Sequence, residues 1–278
     1  MRGCPVKKVN KLMDETAIKV KNLSKHFGSV TAVNDISFEV EKGEVFGFLG
    51  PNGAGKTTTI NILCTLLVPG GGEAIVNGFN VLNQPNEVRR SIGIIFQDPS
   101  LDERLTAYEN LDFHGMIYHL PSRIRKARIA EVLDMVGLSA KKDYIVRTFS
   151  GGMKRRLEIA RGLMHSPKIL FLDEPTTGLD PQTRQHIWDY IVSLSRDEKI
   201  TVFLTTHYMD EAEICRRTAI IDHGKIVVLD TPAALKNKYG VSSLNEIFLK
   251  VTGRDIREEG SDEKERLGQF IRARKKLR

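Results

Sequence analysis

Cysteine is scarce in this chain: Cys4, Cys64 and Cys215 lie far apart among 278 residues, with no Cys-x-x-Cys pair and no histidine at zinc-ligand spacing. That argues against a disulfide framework and a zinc module, and fits a reduced, cytosolic setting. No apolar run approaches the ~18–20 residues that a membrane span requires. The opening MRGCPVKKVNKLMDE is basic but has no apolar core, so no secretory signal is expected. No internal repeat is visible.

What is present is ordinary for a globular chain, 41% hydrophobic and 28% charged, and long enough to bury a sizeable core. The formal charge of +7 and a pI of about 9.2 come partly from the two ends, VKKVNKL and FIRARKKLR. Both ends are expected to be poorly ordered. The charge therefore reads as solubility or weak lipid attraction, and nucleic-acid binding is not expected.

The segment DISFEVEKGE alternates Ile36, Phe38 and Val40 with Ser37, Glu39 and Glu41, which predicts a half-buried strand ending in a turn at Lys42-Gly43. AIKVKNL is a second strand of the same kind. VFGFL (45–49), ILFL (169–172) and VFLTT (202–206) are instead nearly unbroken apolar runs, as central parallel strands covered on both faces require. Helical patterns fall between them. From about Pro99 to Ser166 the apolar residues take helical spacing, which predicts a helical insertion between two strands. AIIDHGKIVVLD reads as a hairpin turning at His223-Gly224, and TPAALKNKYG as a short helix closed by Gly240. The charged stretch after about Gly253 reads as a mobile tail.

After VFGFL the chain runs Gly50, Pro51, Asn52, Gly53, Ala54, Gly55, Lys56, Thr57, Thr58, the full spacing G-x-x-x-x-G-K-[ST] of a phosphate-binding loop. Glycines let backbone N–H groups turn toward phosphate oxygens, and the helix that follows points its positive end at the anion. Lys56 is placed to reach the β- and γ-phosphates, and the Thr57 hydroxyl to bind Mg²⁺. ILFLDEP adds a buried strand ending in Asp173, suited to a magnesium sphere, followed by Glu174, suited to a general base. Alone, that pair would read equally as a solvated acidic turn. FSGGM places Ser150, Gly151 and Gly152 at a helix start bare enough to touch an anion. It would serve as well for a simple Ser150 N-cap.

The order decides between these readings: phosphate loop, Gln97 in IGIIFQDPSL, FSGGM, FLDEPTTGLD, then His207 in FLTTHYMDEAE. Together the five motifs resemble the ATP-binding subunit of ABC transporters over roughly residues 16–250. The resemblance implies an α/β P-loop NTPase core with a mixed sheet, an antiparallel β flank and an inserted α-helical subdomain. It implies an N-terminal extension over 1–15, an ATPase domain over 16–240 with its helical part at about 99–166, and a C-terminal extension and charged tail over 241–278. Gly50 to Thr58 match the Walker A loop, and Asp173 with Glu174 the Walker B pair. Ser150, Gly151 and Gly152 match the signature that contacts the γ-phosphate of ATP held by the opposite subunit. Leu179 and Asp180 match the D-loop, His207 the switch histidine, and Gln97 the glutamine near magnesium and the membrane partner. Phe27 stands at the position whose ring stacks on adenine, where Tyr is more usual; stacking needs a ring and no hydroxyl.

Catalysis is thus expected from Glu174, His207 and Gln97, with Thr57, Asp173 and Gln97 around the metal, and ATP and Mg²⁺ as cofactors. One phosphate loop and one signature per chain imply a homodimer, or a pseudo-symmetric dimer, on a separate multi-span permease at the inner face of the cell membrane. FSGGMKRRL, TTHYMDEAE and SSLNEIFLKVTGRD are similar to the daunorubicin-resistance-like branch, which implies export of drug-like or lipophilic compounds. The competing reading is an ABC ATPase acting on nucleic acid or ribosomes, whose usual coiled-coil insertions, zinc modules or paired ATPase halves are not visible here. The departures from the common L-S-G-G-Q form fall at Phe149 and Met153, beside the Ser-Gly-Gly.

Overall fold

The alternating segments fold as two long strands, β1 (Thr16–Phe27) and β2 (Val30–Glu41), paired antiparallel. As the alternation requires, Ile36, Phe38 and Val40 are buried and Ser37, Glu39 and Glu41 are exposed. The chain then enters β3 (Val45–Leu49), buried throughout, and α1 (Lys56–Leu63). Two strands not expected from the sequence follow, β4 (Gly71–Val76) and β5 (Phe79–Asn80). They complete a four-stranded antiparallel sheet in the order β2-β1-β4-β5. A glycine pair opens β4 and β5 is two residues long, so neither carries a readable alternation. The computed structural model describes residues 15–97 and 100–253. Cys4, both basic ends and the expected tail after Gly253 lie outside the described residues.

Beyond α2 (Pro85–Ser91) and β6 (Ile92–Ile95) comes the expected helical segment: α3 (Ala107–Ile117), α4 (Ser122–Met135) and α5 (Gly151–Leu163). Thr106 and Glu109 open α3 with a reciprocal capping box. The chain returns through β7 (Ile169–Asp173), α6 (Pro181–Arg196), β8 (Thr201–Thr206) and the short α7 (Met209–Ala212). It ends in the hairpin β9 (Arg217–Asp222) and β10 (Lys225–Asp230), then α8 (Pro232–Tyr239) and α9 (Leu244–Thr252). Gly240 closes α8 at φ 61°, a left-handed cap that glycine takes without strain.

The second sheet has the order β10-β9-β3-β8-β7-β6. Pairing is parallel from β9 across to β6, and only β10 is antiparallel. The unbroken apolar runs occupy its centre because both faces are covered. Phe46, Phe48, Phe171 and Phe203 face the antiparallel sheet and α1. Leu170, Leu172, Val202 and Leu204 face the helical side, with Leu157, Trp188 and Ile191. Phe203 packs its ring against Phe38, Phe46, Phe48 and Phe171 at centroid distances of 6.0, 5.6, 5.5 and 5.5 Å. Phe203→Ala is expected to cost about 3–5 kcal/mol, lowering Tm by about 6–20 °C for a chain of this size, as calorimetry would read.

Candidate functional site: a phosphate-binding cleft

The cleft is built where β3, β7 and β8 end, at the carboxyl edge of parallel strands where α/β sheets hold their ligands. Gly53 and Gly55 have φ of 76° and 110°, which fold the loop back on itself. A Cβ on Gly55 would stand 2.4 Å from the Ala32 carbonyl oxygen, and one on Gly50 2.3 Å from that of Ile221. Side chains have no room at either position. Gly55 is the N-cap of α1, with no side-chain cap and no acid in the first turn, so the positive end of the helix faces the cleft.

Lys56 is 5% exposed. Its Nζ donates to the carbonyls of Gly50 at 2.7 Å and Pro51 at 3.1 Å, which hold the ammonium over the loop. Pro51 has no N–H to offer a phosphate, and Ala54 is buried with its N–H donating to Pro51 at 3.2 Å. Both shape the loop and neither lines the cleft. Thr57 Oγ1 donates to Asp173 Oδ2 at 3.3 Å, joining the loop to the end of β7. The other oxygen of Asp173 accepts the Thr205 hydroxyl from β8.

Glu174 leaves the strand at φ 48°, a left-handed conformation that costs a residue with a side chain roughly 1–3 kcal/mol. Its N–H donates to the Thr205 carbonyl at 3.1 Å, which holds it there. The carboxylate consequently turns into the cleft. Oε1 lies 3.1 Å from His207 Nδ1 and 3.9 Å from Lys56 Nζ, and Oε2 accepts the Thr177 hydroxyl at 3.2 Å. The histidine contact is out of line for a well-formed hydrogen bond. Burial pushes the Glu174 carboxyl up, but His207, Lys56 and Thr177 together outweigh it and hold the group below its ordinary value. An ionised carboxylate beside an ammonium, at the mouth of an anion loop, can take a proton from a water or orient one.

Lys56, Thr57, Thr58, Gln97, Glu174 and His207 line one cleft of about 300 Å³, with Asn52, Gly53 and Gly55 from the loop. Ala32 and Thr177 also line it, and neither was legible in the sequence. Thr205 was missed too, although a threonine pair closing an apolar strand at the sheet's carboxyl edge is a signal that could have been used.

Three expected groups are not brought into this cleft. Phe27 is 49% exposed at the end of β1, its ring 5.3 Å from the Lys25 ammonium, outside the lining. Asp180 caps α6 by accepting the Thr183 N–H at 3.0 Å. Ser150 caps α5 by accepting the Met153 N–H at 3.3 Å. Behind that cap a Cβ on Gly152 would stand 2.5 Å from Thr183 Cγ2, so this glycine lets α5 pack on α6. Gly151 has only Leu179 Cδ2 at 3.9 Å and opens to solvent.

A buried arginine of α5 joins the loops from behind. Arg155 of α5 is 7% exposed. Its Nε donates to the Pro175 carbonyl and its Nη1 to that of Phe96, both at 2.6 Å, while Nη2 lies 3.3 Å from the Asp173 carbonyl. Glu158 accepts the Ser100 N–H at 2.7 Å, so α5 grips the Gln97 segment on both sides.

The ABC transporter family profile matches residues 33–177. The linearmycin resistance ATP-binding protein of Bacillus subtilis is 42% identical, over 84% of this chain and 77% of that one. The daunorubicin/doxorubicin resistance ATP-binding protein of Streptomyces peucetius is 44% identical over 82% and 69%. Among solved structures, cbiO1 from Clostridium perfringens, part of the ABC transporter complex cbiONQ, superposes with a TM-score of 0.75 at 29% identity, covering 81% of this chain and 91% of that one. A dimeric ATP-binding cassette in a post-hydrolysis state bound to ADP and Pi gives 0.69 at 28%, covering 77% and 98%. The chain belongs to the ATP-binding subunits of ABC transporters, ATPases built on the P-loop NTPase fold.

Proposed function

We propose that this subunit works as one half of an ATP sandwich, each chain supplying Walker A and B to one nucleotide and its Ser150-Gly151-Gly152 to the other. One observation carries this: Lys56, Glu174 and His207 share a cleft that the exposed start of α5 does not line. A site read from one chain is incomplete, and a second copy supplies the missing helix end. In that arrangement Glu174 activates the attacking water, His207 and Lys56 hold the γ-phosphate, and Phe27, paired with Val30 two residues before the cleft-lining Ala32, takes the adenine. Asp180 and Leu179 meet the partner.

Magnesium fits the donors present. Thr57 and Asp173 are hard oxygen ligands joined at 3.3 Å, and Gln97 stands at the same cleft. Among the described residues no cluster of His, Cys, Asp or Glu could hold an ion unaided. That suits a cation completing its shell with nucleotide oxygens and water. Bound Mg²⁺ would neutralise charge building on the transferred phosphoryl group.

No helix among the described residues is long and apolar enough to cross a membrane; the likeness to a cassette that is part of the ABC transporter complex cbiONQ favours a translocation path in a separate multi-span permease. The subunit then sits on the membrane's inner face, with the Gln97 segment and helical part, about 99–166, toward that partner. The 16–240 span forms the ATPase body. The relatives' resistance names favour export of drug-like, lipophilic compounds. Deleting the gene is expected to raise cellular retention of a fluorescent anthracycline, with the wild-type copy restoring efflux and a Lys56→Ala copy failing to. Lower retention on deletion would point to import, and unchanged retention across a panel of lipophilic drugs would remove this substrate class.

A further inference from the structure

Glu211 of α7 is 3% exposed, a carboxylate far deeper than its place in an acidic MDEAE run suggests. Its Oε1 accepts the hydroxyl of Thr176 and its Oε2 that of Thr206 at 2.6 Å. Thr206 Oγ1 in turn accepts the Tyr208 N–H at 2.9 Å. The Thr206 hydroxyl, one residue before His207, is therefore fixed by a donor one residue after it, Tyr208, and an acceptor at Glu211. Thr176 stands two residues past Glu174, in the turn leading to Leu179 and Asp180. From the first turn of α6, Arg184 Nε reaches within 3.9 Å of Glu211 Oε1. The Arg184 guanidinium also lies 4.4 Å over the Tyr208 ring, and that ring is 4.1 Å from the imidazole of His207.

Plain packing is the simpler explanation for a buried side chain, but a leucine or methionine would fill the space without the cost of desolvating a carboxylate. What this position uses is two acceptor oxygens held apart at fixed places. We propose that Glu211 is a positioning residue for ATP hydrolysis, setting His207 against Glu174 and tying that geometry to the start of α6 at Asp180. The inference rests on the reading that Glu174 and His207 act in this cleft. Threonine hydroxyls from the two loops meet on one carboxylate, so neither loop can shift without the other. A movement of α6 at Asp180, on the proposed partner face, reaches His207 through Arg184 and Tyr208.

The test uses the full chain with Glu211→Gln, which keeps the shape but leaves one acceptor oxygen, and with Thr206→Val, which keeps the volume but removes the hydroxyl. Thr206→Ser is the restoring variant. Steady-state ATPase kinetics, Mg·ATP affinity by displacement of a fluorescent nucleotide, and Tm are measured for each. Expected is a fall in kcat of roughly tenfold to a hundredfold, as a small misplacement of a reacting group produces. ATP affinity should stay near wild type and Tm should fall only by the few degrees that an unsatisfied buried acceptor costs, with Thr206→Ser restoring turnover. Wild-type kcat in both folded variants would overturn the proposal. So would losses of affinity and Tm in step with kcat, which would make Glu211 merely structural. Should Glu211→Gln fail to fold, the Thr206 pair decides alone. Lys56→Ala and Glu174→Gln are run alongside: if those two retain full activity, the reading of the cleft fails rather than the role of Glu211.

Discussion

Glu174→Gln is expected to bind ATP, hydrolyse it about a hundredfold or more slowly than wild type, and accumulate as a dimer. Removing a general base costs typically 10²–10⁴ in rate, and glutamine cannot take the proton that the carboxylate would. Its amide is the same size, so the left-handed backbone at φ 48° and the N–H bond to Thr205 are retained. The substitution also removes a negative charge 3.9 Å from Lys56 Nζ, where the triphosphate must bind. Like-charge repulsion with the nucleotide falls, and affinity should hold or rise. An ATP sandwich that forms but cannot be hydrolysed persists. Light scattering with Mg·ATP should then show twice the monomer mass, and phosphate release should be close to background. Rapid release with no change in mass would remove Glu174 from the catalytic role and the sandwich with it.

The parts legible in the sequence were those that a local pattern dictates. Unbroken apolar runs gave the sheet centre because Phe46, Phe171 and Phe203 face one core and Leu170, Leu172 and Leu204 the other. The phosphate loop was legible because glycine at Gly50 and Gly55 answers to backbone contacts of 2.3 and 2.4 Å that no other residue could meet. Illegible were elements whose meaning depends on what lies across from them. GGEAIVNGF contains two strands that exist only by pairing with β1 and with each other. Arg155 and Glu211 sit in locally charged runs, yet the folded chain buries both, Arg155 against the Phe96 and Pro175 carbonyls and Glu211 against the Thr176 and Thr206 hydroxyls. The stretch after Gly240, expected as an extension, includes α9. Its Ile247 and Phe248 are buried with Leu49 and Ile220, strand residues 171 positions apart along the chain that meet because β9 pairs beside β3. The signature shows both regimes. Gly152 is required by Thr183 within the same chain, whereas a Cβ on Gly151 would meet nothing closer than 3.9 Å, room that the proposed contact from a second chain would use.

Lys56→Ala is expected to lose ATP binding and turnover together, in contrast to Glu174→Gln. The ammonium is held by two carbonyls at 2.7 and 3.1 Å and is 5% exposed, so it is already aimed before nucleotide arrives. Truncating one partner of a buried, hydrogen-bonded charge pair costs about 2–5 kcal/mol, which weakens nucleotide binding about thirtyfold at the least. Alanine also strips the Gly50 and Pro51 carbonyls of their donor, and an orphaned buried acceptor costs about 1–3 kcal/mol. Part of the loss will therefore show as a lower Tm without nucleotide. Lys56→Arg separates charge from shape: the guanidinium keeps the charge, but its planar fork cannot occupy the place of a compact ammonium between two carbonyls. Arginine should restore little of the binding if geometry decides, and most of it if charge alone does. Titration with a fluorescent ATP analogue, beside phosphate release, reads both. Unchanged ATPase activity in Lys56→Ala would move the nucleotide out of this loop altogether, and a loss of turnover at undiminished affinity would leave Lys56 acting on the transition state alone.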